Sequence, residues 1–236
     1  LSLQSDLAGA GLRIPALGWS MGAEATGELN LTAQLGETAQ VDELSLTAPG
    51  LSAIGTISTL VGGGLESAKF SAVKVGNWLR GSAELVGRGE AGLAVNMSNG
   101  VLDMRNMPFS SSSGAAGSAS SGPITLKLDR LQVTDSFALH GFRGDFSTLG
   151  GFNGNFRGSL NGQTVVEGQV VPQNGGVAMR LRSADAGGVF RSAGVVHHGR
   201  GGDFDMTLVP ANKTGDFDGR LKVKNIRVKD APGRVI

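Results

Sequence analysis

Apolar and polar residues alternate with a period of two over much of the chain. Leu29, Leu31, Ala33 and Leu35 interleave with Glu28, Asn30, Thr32 and Gln34, which gives a strand one greasy and one wet face, because successive Cβ atoms point to opposite sides. The alternation recurs at Leu93, Val95 and Met97; at Ile124, Leu126 and Leu128; at Met179 and Leu181; and at Phe204, Met206 and Leu208. Between the runs stand Asn99-Gly100, Asn161-Gly162 and Asn174-Gly175-Gly176, which tolerate the positive φ of tight hairpin turns. Short connections imply antiparallel neighbours. Glycine recurs too often for a long helix. The single helical stretch predicted is Asp185 to Ala193, with Asp185 as N-cap, Gly194 as stop, and Gly187 and Gly188 limiting it to a turn or two. The pattern predicts an all-β fold: a long curved antiparallel sheet forming an open groove, with at most one or two short helices.

In places the alternation slips by one residue. Val41, Leu44 and Leu46 share the spacing Φ-x-x-Φ-x-Φ with Phe70, Val73 and Val75, and a β-bulge at the slip would keep all three apolar groups on one face. The run Leu126 to Val133 is echoed by Leu221 to Val228, with the same slip midway. A second echo pairs Gly141-Phe142-Arg143-Gly144-Asp145-Phe146 with Gly151-Phe152-Asn153-Gly154-Asn155-Phe156. On unbroken strands Phe142 and Phe146 share a face, as do Phe152 and Phe156, and a hairpin turn near Leu149-Gly150 brings the pairs together. Polar and glycine positions between them are then expected to face out.

Composition narrows the picture. The 236 residues include 39 glycines, 12 aromatic residues and no Tyr or Cys, so any core is aliphatic and thin, and disulfides and thiolate metal sites are excluded. Ser110 to Gly122, SSSSGAAGSASSG, is expected to act as a flexible loop. It divides the chain into a β-rich first half, 1–109, and a β-rich second half, 123–236, expected to continue the same sheet. The formal net charge of +1 argues against a nucleic-acid partner, yet it hides 6 basic and 10 acidic residues in the first half against 15 and 10 in the second. No stretch is long and apolar enough to span a membrane, and a chain opening at Leu1 without an initiator Met reads as a piece of a longer protein.

Motifs that carry chemistry match only in letters. Gly18-Trp19-Ser20-Met21-Gly22 fits the nucleophile elbow of serine hydrolases, but Pro15 interrupts the strand that should precede it and Gly22 and Gly27 stand where its helix should follow. Gly87 to Gly92 fits the dinucleotide fingerprint, yet Leu93 to Met97 after it alternates as a strand. His197 and His198 are adjacent and so point apart on a strand, and Asp203, Asp205, Asp216 and Asp218 lack the distal Glu of a calcium loop. No catalytic residue, metal site or cofactor is predicted. Arg220 to Arg234 carries six basic residues against Asp230 alone, which suits either anionic lipid headgroups or an edge strand protected from aggregation.

Pro15-Ala16-Leu17-Gly18-Trp19-Ser20, Leu102-Asp103-Met104-Arg105, and the stretch from Ser183-Ala184-Asp185-Ala186-Gly187-Gly188-Val189-Phe190-Arg191 through Gly201-Gly202-Asp203-Phe204 to Val228-Lys229-Asp230-Ala231-Pro232 resemble the AsmA-like family of Gram-negative envelope proteins, the YhdP/TamB-like bridges. The resemblance implies a periplasmic segment, anchored to the inner membrane by a helix outside this sequence, whose apolar β-groove carries phospholipid acyl chains toward the outer membrane, with inner- and outer-membrane envelope proteins as partners. The serine-rich insert departs from the family pattern. The groove-lining residues expected are Phe142, Phe146, Phe152, Phe156, Leu126, Leu128, Leu221 and Val223. A secreted structural or adhesive β-solenoid without a lipid role is the alternative, and a hydrolase using Ser20 a third.

Overall fold

The computed structural model describes residues 1–108, 122–173, 176–211 and 217–228. The serine-rich loop other than Gly122, the Asn174-Gly175 turn, Asp216 and the closing residues from Lys229 onward lie outside them. The first half contains β1 (Ser2–Ser5), β2 (Leu12–Ile14), β3 (Trp19–Met21), β4 (Glu28–Gln34), β5 (Gln40–Ala48), β6 (Leu51–Thr59), β7 (Leu65–Val75), β8 (Leu79–Gly87) and β9 (Leu93–Asp103). The second contains β10 (Pro123–Gln132), β11 (Ala138–Ser147), β12 (Asn153–Leu160), β13 (Thr164–Gln173), β14 (Gly176–Ser183), α1 (Ala186–Ser192), β15 (Gly199–Arg200), β16 (Asp203–Pro210), β17 (Phe217–Lys224) and β18 (Arg227–Val228).

Fourteen of these strands form one sheet in the order β1-β4-β5-β6-β7-β8-β9-β10-β11-β12-β13-β14-β16-β17, and it does not close on itself. Every pairing is antiparallel except β9 with β10, so the chain folds back and forth as the alternation and turns predict. Both halves lie in this one sheet. Two small pairs stand outside it, β2 with β3 and β15 with β18.

The slips in alternation are bulges where two of the patterns placed them. Register shifts fall between Val41 and Leu44 on β5 and between Phe70 and Val73 on β7. Others fall at Ile54/Gly55 on β6, Arg80/Ser82 on β8 and His140/Arg143 on β11. Because adjacent strands slip at similar heights, the bulges form a band that runs from β5 to β11, and each extra residue bends its strand and increases the local twist. Asn99-Gly100 belongs to that band. Both have positive φ, 62° and 88°, but they sit inside β9, not at a hairpin turn, and the Gly100 N–H donates to Asp129 Oδ2 at 2.7 Å. Asn161-Gly162 is a turn as predicted. The echo at Leu221 to Val228 is not a bulged strand: Asn225, at φ 56°, ends β17, and the chain turns into β18 against β15.

The predicted helix is present. Asp185 accepts from the Gly188 N–H at 2.8 Å as N-cap, and Gly194 follows the last turn with φ 71°. Its glycines serve close approach: a Cβ on Gly187 would collide with the backbone of Arg200, and one on Gly188 with Thr164 and Asp185.

A parallel pair obliges the chain to cross from one rim of the sheet to the other between β9 and β10. The crossing begins in a 3-10 turn, Met104–Asn106. The Asp103 carboxylate accepts from Arg105 N at 3.1 Å, Arg105 Nε at 2.8 Å and Asn106 Nδ2 at 3.1 Å, while Arg105 Nη1 reaches Asp135 in the β10–β11 turn at 2.6 Å. Arg105 therefore clamps both sides of the parallel seam, and its hydrogen bonds outweigh burial and hold the Asp103 carboxyl down at about 2. A folded value below the ordinary one stabilises the protein above about pH 4, and that contribution is lost as pH falls toward 2. With Arg105 partly exposed, the loss is expected to be about 1–2 kcal/mol. Urea titrations across this pH interval check it: Asp103→Asn should show a correspondingly smaller acid-induced loss.

Candidate functional site

Cross-strand register places one apolar or glycine residue from every strand of the sheet on a single line. The line runs Leu3, Leu31, Leu44, Gly55, Phe70, Ala83, Met97, Leu126, Gly144, Phe156, Gly168, Leu181, Met206 and Leu221, each directly opposite the next. A second line beside it runs from Ala33 on β4 through Val41, Ile57, Ala68, Leu85, Val95, Ile124, Phe146, Gly154, Val170, Met179 and Leu208 to Gly219 on β17. Residues directly opposite point to the same face, so both lines lie on one side of the sheet and neither contains a charge. At ~4.8 Å between strands the first extends for about 60 Å.

Among the described residues two small elements cover this face, and both lie toward the rim where the turns after β5, β7 and β12 fall. The β2–β3 hairpin brings Trp19 and Met21 against Leu51, Val75, Trp78 and Leu79, and the Trp19 indole donates to Pro49 O at 2.8 Å. At the other end α1 packs Ala186 and Val189 into a cluster with Leu128, Phe142, Val166 and Phe204. Met97 and Leu102 pack against both clusters, which makes the apolar surface continuous across the β9–β10 seam. Away from the covers most of the face is half-buried, with Leu3 and Leu221 exposed at its ends and the small Ala33 and Ala68 buried within it.

Seven of the eight predicted lining residues share this face. Leu126, Phe156 and Leu221 stand on the first line and Phe146 on the second; Leu128 opposes Phe142, and Val223 opposes Phe204. Phe152 differs: it lies in the turn between β11 and β12, not on a strand, yet its ring stacks on Phe146 with centroids 5.0 Å apart. Phe146 lies 6.4 Å from Phe142, which lies 5.6 Å from Phe156, so the four rings form one chain. The glycines do not face out as expected. Gly144, Gly154 and Gly168 share the apolar face because they are two residues from, or directly opposite, a phenylalanine, and the rings lie over them. A Cβ on Gly154 would stand 2.6 Å from Phe146 Cδ1, and one on Gly168 would enter the Phe156 ring. Rings that lie along a sheet make a low floor instead of reaching for a second layer.

Sequence reasoning missed Met97, Gly144, Gly168, Leu181, Met206 and the whole first-half line as lining residues. The signal was the alternation itself, extended through each bulge.

The opposite face is polar and charged. One row reads Lys127, Arg143, Arg157, Glu167, Arg182, Asp205 and Lys222, each directly opposite the next. Asp205 is held below its ordinary range chiefly by hydrogen bonds from Arg180 Nε and Nη2, at 2.9 and 2.5 Å. A shallow hollow of about 610 Å³ opens on this side of the first half, beside the bulges, lined by Asp42, Glu43, Lys69 and Glu84 among others.

The remaining motifs take plain structural roles. Ser20 is exposed in the middle of β3, so no strand-to-helix elbow forms there. Gly89–Ala91 is a single 3-10 turn leading into β9. His197 and His198 are exposed after α1. Among the described residues no group of three or more His, Cys, Asp or Glu could hold a metal, and no helix is long and apolar enough to cross a membrane.

The fold and site define a class: an unclosed, single-layer β-sheet with one uninterrupted apolar face. No protein-family model, curated protein or solved structure matches the chain.

If burial sets each ring's contribution, the four phenylalanines are unequal. Phe142 is 2 % exposed and Phe152 39 %. Phe142→Ala is expected to cost about 3–5 kcal/mol and Phe152→Ala about 1 kcal/mol or less, measured by urea denaturation.

Proposed function

We propose that this chain is a segment of a periplasmic, bridge-like lipid-transport protein, and that its apolar face carries phospholipid acyl chains between inner and outer membranes in support of outer-membrane integrity. The observation that supports this reading most directly is the unbroken apolar line across all fourteen strands of an open sheet. Acyl chains lying along it would bury apolar surface that the protein itself leaves open, at about 25 cal/mol for each Å² removed from water, while headgroups stay in solvent beyond the open rim. Nothing on the line offers a charge or a deep pocket that would hold one lipid in place, which suits passage better than storage. The resemblance to AsmA-like bridges points the same way. The proposal assigns no reaction to the chain and needs no cofactor. A β-solenoid would require parallel coils, whereas the thirteen pairings within the fourteen-stranded sheet include a single parallel one.

Native mass spectrometry of the protein purified from a Gram-negative host is the test. Bound phospholipid is expected. Leu221→Asp, at a position 50 % exposed, should keep its melting temperature and lose most of that lipid, because an acyl chain lying there would have to strip water from the carboxylate. A wild-type protein free of lipid would remove the basis of the reading.

A further inference from the structure

The β11–β12 hairpin combines an apolar tip with a cationic band set back from it. Leu149, 74 % exposed, and Phe152 flank Gly150 and Gly151 at the turn. From Phe146 to Phe156 there is no charged residue. Apolar tips occur elsewhere, as at Leu60 and Val61, but that one belongs to the acidic half of the chain.

Several peptide groups of the turn are already satisfied within the hairpin. The Asn153 amide donates to Leu149 O at 3.3 Å and Gly151 O at 2.8 Å, the Leu149 N–H donates to Ser147 Oγ at 3.1 Å, and the Gly151 N–H donates to Thr148 O at 3.2 Å. Peptide groups bonded in this way lose little on leaving water.

Behind the tip, on the polar face, Lys127, Arg143 and Arg157 stand directly opposite one another on three successive strands. Like charges in that position repel. No ion pair among the described residues involves any of the three. Arg143 is steadied by donating to Phe142 O at 2.9 Å and Leu128 O at 3.3 Å. The nearest acids are Glu167, opposite Arg157; Asp145, which lies two residues nearer the tip than Arg143 and accepts from Thr125 Oγ1; and Asp129, which lies two residues from Lys127 on β10 and accepts from the Gly100 N–H.

We propose that this hairpin docks the protein on an anionic phospholipid surface, with Leu149 and Phe152 immersed at the acyl boundary and Lys127, Arg143 and Arg157 engaging headgroup phosphates. The dimensions agree. Arg143 and Arg157 lie four residues from the strand ends at Ser147 and Asn153, about 13 Å at ~3.3 Å per residue. A tip sunk about 5–10 Å past a headgroup layer of roughly 5–8 Å brings them to its outer edge. Phe152, stacked on Phe146, then joins the bilayer to the aromatic floor. The docking stands on the hairpin alone; that a lipid taken up there moves along the apolar face rests on the function proposed above.

Cosedimentation of the full chain with vesicles tests the docking. Binding is expected to vesicles of three parts phosphatidylcholine to one part phosphatidylglycerol, weakening with salt, and not to phosphatidylcholine alone. Arg143→Gln with Arg157→Gln should weaken it roughly 30-fold, and Leu149→Ser about tenfold, both with unchanged melting temperature and unchanged copurified lipid. Failure of the wild type to bind the anionic vesicles, or wild-type binding by both folded variants, would overturn the proposal. So would inorganic phosphate raising the melting temperature while Leu149→Ser binds vesicles normally, since the cations would then serve a free anion. Vesicle binding by a protein that carries no lipid would sink the transport reading and leave the docking intact.

Discussion

The structure depends on keeping its rows of apolar side chains on one side of a sheet that, among the described residues, only two small elements partly cover. A strand meets this demand only while its side chains alternate, and one slipped residue would turn the remainder of the strand inside out. The bulges prevent that. At Val41/Leu44 and Phe70/Val73 an extra residue restores the face after each slip, and because neighbouring strands slip together the lines of apolar residues continue straight across the band. The same extra residues bend the strands, so the device that preserves the face also curves it.

A one-sided sheet of this width has a second difficulty, the exposure of its own floor. Small covers at the rim relieve part of it: the β2–β3 hairpin over the first half and α1 over the second. The phenylalanines relieve another part by lying over glycines on adjacent strands. Gly168 under Phe156 and Gly154 under Phe146 leave no room for a Cβ, so the ring shields backbone that glycine would otherwise expose. Glycine-rich composition and scarce aromatics are thus two sides of one packing scheme, in which a few flat rings do the covering that a second layer does elsewhere.

How much of this was legible follows from which interactions are local. Alternation is a property of single strands, and it marked Leu29 to Ala33, Ile124 to Leu128 and Phe204 to Leu208 correctly, as capping chemistry marked Asp185. Asn99-Gly100 misled because positive φ is needed by a bulge as well as by a turn. Phe152 misled because an echo in sequence does not fix where the strand begins; the turn takes it. Gly144 was assigned outward although a residue midway between two inward phenylalanines must itself point inward. The parallel pairing of β9 with β10 and the lodging of Trp19 beneath Pro49 depend on contacts distant in sequence, and no local pattern encodes them. Of the site, the aromatic chain was readable and the line across fourteen strands was not, because register between strands exists only once they pair.

Register also determines what happens at the ends of the apolar line. It begins at Leu3 on β1 and finishes at Leu221 on β17, both among the exposed large apolar residues. A closed barrel or sandwich would bury such positions; an open sheet leaves them at its edge strands. β17 carries Arg220, Lys222 and Lys224 on its polar face, charges of the kind that discourage unspecific pairing of an edge, while its other face keeps Leu221 and Val223 apolar. Solubility is thereby secured on one side of the strand without interrupting the line on the other. The period of two separates the demands: each edge residue answers to solvent or to the apolar face, and no position must answer to both.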